Sequence, residues 1–261
     1  MRQIDAGLIT ESVKKMVMEA NYCLPEDVYS TIKEAQDKEE WQLASDILDK
    51  ILQNADIAKN DQVPMCQDTG MAVVFVEMGQ EVSIVNGYIE DAINQGIREG
   101  YEEGYLRKSV VGDPLNRVNT KDNTPGIIHY SIVPGDKLKI TVAPKGFGSE
   151  NMSRLKMLKP AEGLEGVKDF VLETVELAGP NPCPPIVVGV GIGGTMEKAA
   201  FLAKKSLMRS FDSYNENPFY ADLEKELLEK INELGIGPQG FGGKTTALRV
   251  FIEYYPTHIA G

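Results

Sequence analysis

Met71-Ala-Val-Val-Phe-Val76 is an unbroken apolar run, entered from the proline-bounded loop Pro64-Met65-Cys66-Gln67-Asp68-Thr69-Gly70. A run this short and this uniformly apolar predicts a buried strand, and a buried strand obliges the rest of the chain to supply layers that cover it. The same arrangement recurs at Asn181-Pro182-Cys183-Pro184-Pro185, which feeds Ile186 to Val190. A further strand is expected over Ala247 to Tyr255, after the glycine-rich stretch 235–243.

The covering layers are helical. Thr10 is placed to cap a helix carrying Val13, Met16, Val17 and Ala20 on one face. Pro25 suits the first turn of a second, with Val28, Ile32 and Ala35 at helical spacing, and Trp41, Leu43, Ile47, Leu48, Ile51, Leu52 and Ala55 outline a third. Helices this short need tertiary packing. Residues 86–103, 161–178, a segment from about Thr195, and 218–234 also read as helices, and Val82 to Val85 as a short strand. Ile127 to Val133 and Lys137 to Ala143 flank Pro134-Gly135-Asp136, which predicts a hairpin. Arg107 to Gly126 has no periodicity; its Asn, Thr, Arg and Pro content suits an ordered polar loop over a site. No repeat, low-complexity tract or linker interrupts the chain. The expectation is one domain over 1–261, α/β of the mixed α+β kind: a helical N-terminal layer packed on a mixed sheet, with glycine-rich loops around the site.

The chain has 261 residues, 42% hydrophobic and 25% charged, with net charge −12. That acidity argues against a nucleic-acid binder, and it means that any site for an anion must carry its own local cations. No apolar run approaches the roughly 18 residues of a membrane helix. Met1-Arg-Gln-Ile-Asp5 opens into an amphipathic segment rather than a signal peptide, and three cysteines without disulfide-like spacing fit a reducing, cytoplasmic setting.

Two motifs invite a nucleotide reading. Gly189-Val-Gly191-Ile-Gly193-Gly194 fits G-x-G-x-x-G between a strand and a helix, but no convincing second strand closes at Asp212. The alternatives are a tight strand-to-helix turn, or a helix N-terminus offering N–H groups to an anion. Gly242-Gly243-Lys244-Thr245 resembles the tail of a P-loop, but Pro238 stands where the first glycine belongs and the flanking elements are reversed. Lys244 is left as a cation for a carboxylate, a lid contact or a solvated lysine.

Cys23, between Tyr22 and Leu24, reads as a small core residue. Cys66 and Cys183 are different, because both stand in rigid proline-bounded loops ahead of buried strands, where a bare thiol suits a metal or a cluster. A zinc ribbon would need short Cys-x-x-Cys spacing and four ligands, and only His129 and His258 remain, His129 reading as structural.

Several stretches then occur in one order: Pro-Met-Cys66-Gln-Asp-Thr-Gly, Leu106-Arg107 with Asn119-Thr-Lys-Asp-Asn-Thr-Pro125, Lys145-Gly-Phe-Gly-Ser-Glu-Asn151, Cys183-Pro-Pro, Gly191-Ile-Gly-Gly-Thr195 and Gly237-Pro-Gln-Gly-Phe-Gly-Gly-Lys244. With them the chain resembles, along nearly its whole length, the alpha subunit or N-terminal domain of class I iron–sulfur fumarases and the related L-tartrate dehydratases. The resemblance implies a hydro-lyase acting on a small dicarboxylate, fumarate to malate first and tartrate second. It implies a 4Fe–4S cluster held by three cysteines with one iron left open. Cys66 and Cys183 match two of the ligands; the third family cysteine would follow His258 beyond Gly261, and Cys23 does not take its place. By the same resemblance Gln67, Arg107, Gly148 and His258 contact substrate, Arg107 gripping a carboxylate, and Asp68 serves catalysis. A beta subunit is implied as partner, bringing the catalytic base, in a dimer of alpha–beta units.

Overall fold

The computed structural model describes residues 1–261, and the chain forms two compact units, Met1–Leu24 with Asn54–Phe147, and Pro25–Gln53 with Gly148–Gly261. The mixed α+β class expected from the sequence is what forms.

In the first unit, β2 (Met71–Gly79) is the centre of a three-stranded sheet, with β4 (Ile127–Val133) parallel on one side and β5 (Leu138–Lys145) antiparallel on the other. Ala72, Val73, Val74, Phe75 and Val76 are all buried, so both faces of β2 are covered as its composition demands. Helices α1 (Ala6–Tyr22) and α4 (Ile89–Glu103) cover one face: Ile9, Val13 and Val17 of α1 and Ile93, Ile97 and Tyr101 of α4 pack on Ala72, Val74 and Val76. Burying each such aliphatic side chain contributes about 1.5–3 kcal/mol. On the other face Phe75 stacks on His129 at 5.3 Å, giving that histidine the structural place expected of it. Cys23 packs against the same core. A separate parallel pair joins β1 (Arg2–Asp5) to β3 (Val82–Val85).

Two local expectations are corrected. The helix does not begin at Thr10: Asp5 caps it by accepting the Gly7 N–H at 2.7 Å, and the Thr10 hydroxyl instead donates to the Ala92 carbonyl of α4 at 3.0 Å. Nor do β4 and β5 pair as a hairpin. Their connection arches over the end of β2, where the N–H groups of Gly79 and of the following Gln80 and Glu81 donate to the Lys137, Val133 and Gly135 carbonyls. The most apolar strand wins the central position because only there are both its faces and both its edges covered.

The second unit is built on the parallel pair β6 (Ile186–Gly193) and β7 (Ala247–Tyr255). The unit also holds α2 (Glu26–Lys38), most of α3 (Gln42–Asp61), the turn α5 (Phe147–Glu150) from Gly148 on, α6 (Gly163–Ala178), α7 (Met196–Ser206) and α8 (Pro218–Glu233). The N-terminal helices are therefore divided, α1 serving the first unit and α2 the second. Val171 and Val175 of α6 and Leu223, Leu227 and Ile231 of α8 pack on Val250 and Ile252. A buried ion pair fixes β7: Glu224 accepts from Arg209 at 2.7 Å and from the Ile252 N–H at 2.8 Å. Asp27 of α2 accepts from the Ser210 hydroxyl and the Phe211 N–H, and these bonds hold its carboxyl below the usual range. No helix is long and apolar enough to cross a membrane.

Candidate functional site

The residues singled out in the sequence divide between the units: Cys66, Gln67, Asp68 and Arg107 in the first, Gly148, Cys183 and His258 in the second.

In the first unit the segment after α3 is anchored before it reaches Cys66. The Met65 N–H donates to the Asn21 carbonyl at 3.0 Å, and the Asn54 amide donates to the Met65 carbonyl at 2.7 Å. Cys66 is then exposed, a free thiol whose Sγ lies 3.5 Å from the Gln67 Oε1. Asp68 turns inward. Its Oδ1 accepts the Gly70 N–H at 3.0 Å, and its Oδ2 accepts the Phe147 N–H, also at 3.0 Å. One carboxylate thus closes the Cys66 loop and ties it to the start of the glycine-rich segment. Gly70 is at φ +74°, and a Cβ there would lie 2.6 Å from the Lys145 backbone, so no side chain fits between β2 and β5 at this point.

Beneath the loop lies a buried polar frame. The Thr69 hydroxyl donates to the Arg107 carbonyl at 3.1 Å. Tyr101, fully buried, shares its one O–H between the Thr69 and Gly70 carbonyls, 2.8 and 3.0 Å away. Burial above all, with the Asp68 charge nearby, pushes its phenol well above the ordinary range, so it stays a donor at any working pH. Asn123, also fully buried, donates to the Gly70 carbonyl at 3.1 Å, and its Oδ1 accepts the Ser109 and Val110 N–H groups at 2.7 and 3.1 Å. These three residues were not singled out in the sequence. Thr69 and Asn123 gave a signal only by their places in the Pro64–Gly70 and Asn119–Pro125 stretches, and Tyr101 gave none.

Arg107 follows α4 and is exposed; its backbone is held by Thr69, and its guanidinium has no hydrogen-bond or ion-pair partner in the protein. In a chain of net charge −12 an exposed, unpaired arginine is a local cation of the kind an anion site needs.

In the second unit Cys183 is likewise an exposed free thiol, with φ of 55°, a left-handed conformation that non-glycine residues adopt at a cost. Its N–H donates to the Pro180 carbonyl at 3.1 Å. The Gln239 backbone and side-chain amides both donate to the Pro184 carbonyl, at 2.8 and 3.0 Å, so the 235–243 stretch clamps the Cys183 loop. Gly148 faces the same loop, where a Cβ would sit 3.1 Å from the Asn181 carbonyl oxygen. His258 follows β7; its Nδ1 accepts the Ala260 N–H at 3.2 Å, which leaves Nε2–H exposed as a donor. Thr257 beside it donates to the Gly194 carbonyl at 3.0 Å.

The two nucleotide-like motifs have other work. A Cβ at Gly189 or Gly191 would lie 2.2 Å from the Ala203 or 2.0 Å from the Ala199 carbonyl oxygen of α7, so these glycines let the helix lie directly on β6. Lys244 pairs with Glu40 at 2.6 Å, and its N–H donates to Glu39.

In donor chemistry an exposed free thiol is the kind of ligand an iron–sulfur cluster takes, and each unit presents one, Cys66 and Cys183. Within neither unit do three or more His, Cys, Asp or Glu side chains converge to hold a metal ion.

The family model described as fumarate hydratase (Fumerase) matches residues 10–261. A Methanocaldococcus jannaschii chain, provisionally named L(+)-tartrate dehydratase subunit alpha, is 48% identical over 259 residues, covering 97% of this chain and 90% of its own length. The Escherichia coli K12 L(+)-tartrate dehydratase subunit alpha is 35% identical over 261 residues, covering 98% of this chain and 86% of its own.

Proposed function

Because this chain belongs to the fumarate hydratase family and is a hydro-lyase chain, we propose that residues 1–261 act as the alpha subunit of an iron–sulfur enzyme that moves water across a four-carbon dicarboxylate. The family description favours the fumarate–malate pair; the names of the relatives favour L(+)-tartrate as a second reading. The observation that carries the proposal is Arg107, an exposed and unpaired guanidinium whose backbone is bonded to the loop presenting Cys66, Gln67 and Asp68.

Loss of water from a 2-hydroxy acid faces a poor leaving group and a weakly acidic C–H bond. Arg107 takes one substrate carboxylate through its two-pronged N–H face, and neutralising that carboxylate makes the adjoining C–H more acidic. The Gln67 amide orients the bound acid. Asp68 has spent one lone pair of each oxygen on Gly70 and Phe147, and the remaining ones accept from the departing hydroxyl or water. The Nε2–H of His258 donates to a carboxylate, and Gly148 lets the backbone approach the substrate without a side chain between. Cys66 and Cys183 would hold the cluster; when bound, a 4Fe–4S cluster with one iron free of thiolate would supply a Lewis acid for the hydroxyl. A beta subunit brings the base, and two alpha–beta units pair. The three free thiols suit the reducing cytoplasm.

The test is anaerobic assembly with iron, sulfide and the beta subunit, scored by cluster absorbance and by fumarate hydration against L-tartrate dehydration. Cys66→Ser and Cys183→Ser should each lose the absorbance while leaving the thermal unfolding of the metal-free chain unchanged. Full absorbance in both variants would sink the ligand assignment, and inactivity toward both acids in a loaded complex would sink the substrate class.

A further inference from the structure

The buried frame beneath the Cys66 loop does more than fill space. Its three side chains, Thr69, Tyr101 and Asn123, are 3%, 0% and 0% exposed, and each hydrogen-bonds the backbone of the loop or of the segment that follows α4. Thr69 reaches the carbonyl of Arg107 itself, and Asn123 reaches the N–H groups of Ser109 and Val110, just after that arginine. On the other side, Tyr101 and Asn123 share the Gly70 carbonyl, next to the turn closed by Asp68.

We propose that Thr69, Tyr101 and Asn123 are positioning residues, a polar lock that fuses the segment carrying Arg107 to the loop carrying Gln67 and Asp68, so that the carboxylate-binding cation keeps a fixed register against the groups beside Cys66. An arginine with no ion-pair partner has nothing to orient its side chain except its own backbone, and this lock fixes that backbone. Displacing a binding group by even an ångström weakens its use of a bound substrate. The inference rests on the reading of Arg107 as the substrate cation.

Thr69→Val removes the hydroxyl at nearly constant volume, and Thr69→Ser restores it. In the loaded alpha–beta complex, KM for the dicarboxylate should rise about fivefold to tenfold in Thr69→Val, the worth of one hydrogen bond, with kcat changed less, and Thr69→Ser should return to within about threefold of the parent. Hydrogen exchange supplies a readout independent of turnover. In the parent protein the Gly70, Ser109 and Val110 amides should open together with one common denaturant dependence, and in Thr69→Val this group should exchange faster while the core amides of β2 do not. An unchanged KM in a folded Thr69→Val enzyme, or separate opening of Gly70 and Ser109 in the parent, overturns the lock. Arg107→Ala separates the two readings: if it raises KM while Thr69→Val does not, the lock fails and the substrate cation stands; if it leaves KM unchanged, both fall.

Discussion

Arg107 is where charge and chemistry pull against each other, since acidic side chains outnumber basic ones by 39 to 27 and yet none of them neutralises it. Arg107→Ala should lower kcat/KM by about 3 kcal/mol or less, the range of a charge-assisted hydrogen bond, and Arg107→Lys should recover only part of it because an ammonium lacks the planar fork. Steady-state kinetics of the loaded complex measures both. The candidate ligands and this arginine could be read from the chain because each stands in a short stretch whose composition is unusual for its place: cysteines between prolines, an arginine opening an aperiodic segment. Thr69, Tyr101 and Asn123 could not, since the bonds that give them their roles span 38, 32 and 53 positions. A threonine, a tyrosine and an asparagine are ordinary until the fold closes around them.

Strands and helices declare themselves through periodicity, whereas their partners are chosen by burial. The apolar runs entering at Met71 and Ile186 are strands as their composition indicates, and the helical segments after Glu162, near Thr195 and at Pro218 are helices. Pro134-Gly135-Asp136 does mark a reversal, but the hydrogen bonds of β4 and β5 both go to β2, a choice set by which strand most needs the centre. Pattern likewise located the glycines of β6 without revealing that α7 lies on them. Gly191→Ala should therefore fail severely: its new methyl meets the Ala199 carbonyl at 2.0 Å, a backbone atom that moves only if the helix moves. Calorimetry or recovery of soluble protein should show a loss of several kcal/mol, far beyond the roughly 1 kcal/mol by which alanine ordinarily betters glycine in a helix or strand interior.

For the molecule as a whole, acid is the revealing stress. Burial alone would raise the carboxyl of Asp122, but the Thr124 N–H and the Arg98 guanidinium, with the Thr124 and Thr120 hydroxyls, hold it down at about 2. A depressed carboxyl contributes stability that is complete above its unfolded value near 3.9 and vanishes as pH falls through the folded one. Asp122→Asn should thus cost about 1–2 kcal/mol at pH 7, with roughly half of that gap gone by pH 3, in urea unfolding followed across the range. Asp27, depressed by Ser210 and Phe211, acts with the same sign in the second unit. The route of the backbone has its own corollary. Residues 1–24 belong with 54–147, and 25–53 with 148–261, so each body is assembled from two separated lengths of polypeptide. A single cut after Phe147 leaves the first body complete only with residues 25–53 of the second still attached, and no single cut releases the second whole. On the ribosome the opening helix must wait, uncovered, until the strands that will shelter it have emerged, and any attempt to express half the protein as a contiguous fragment should yield aggregates rather than a folded piece.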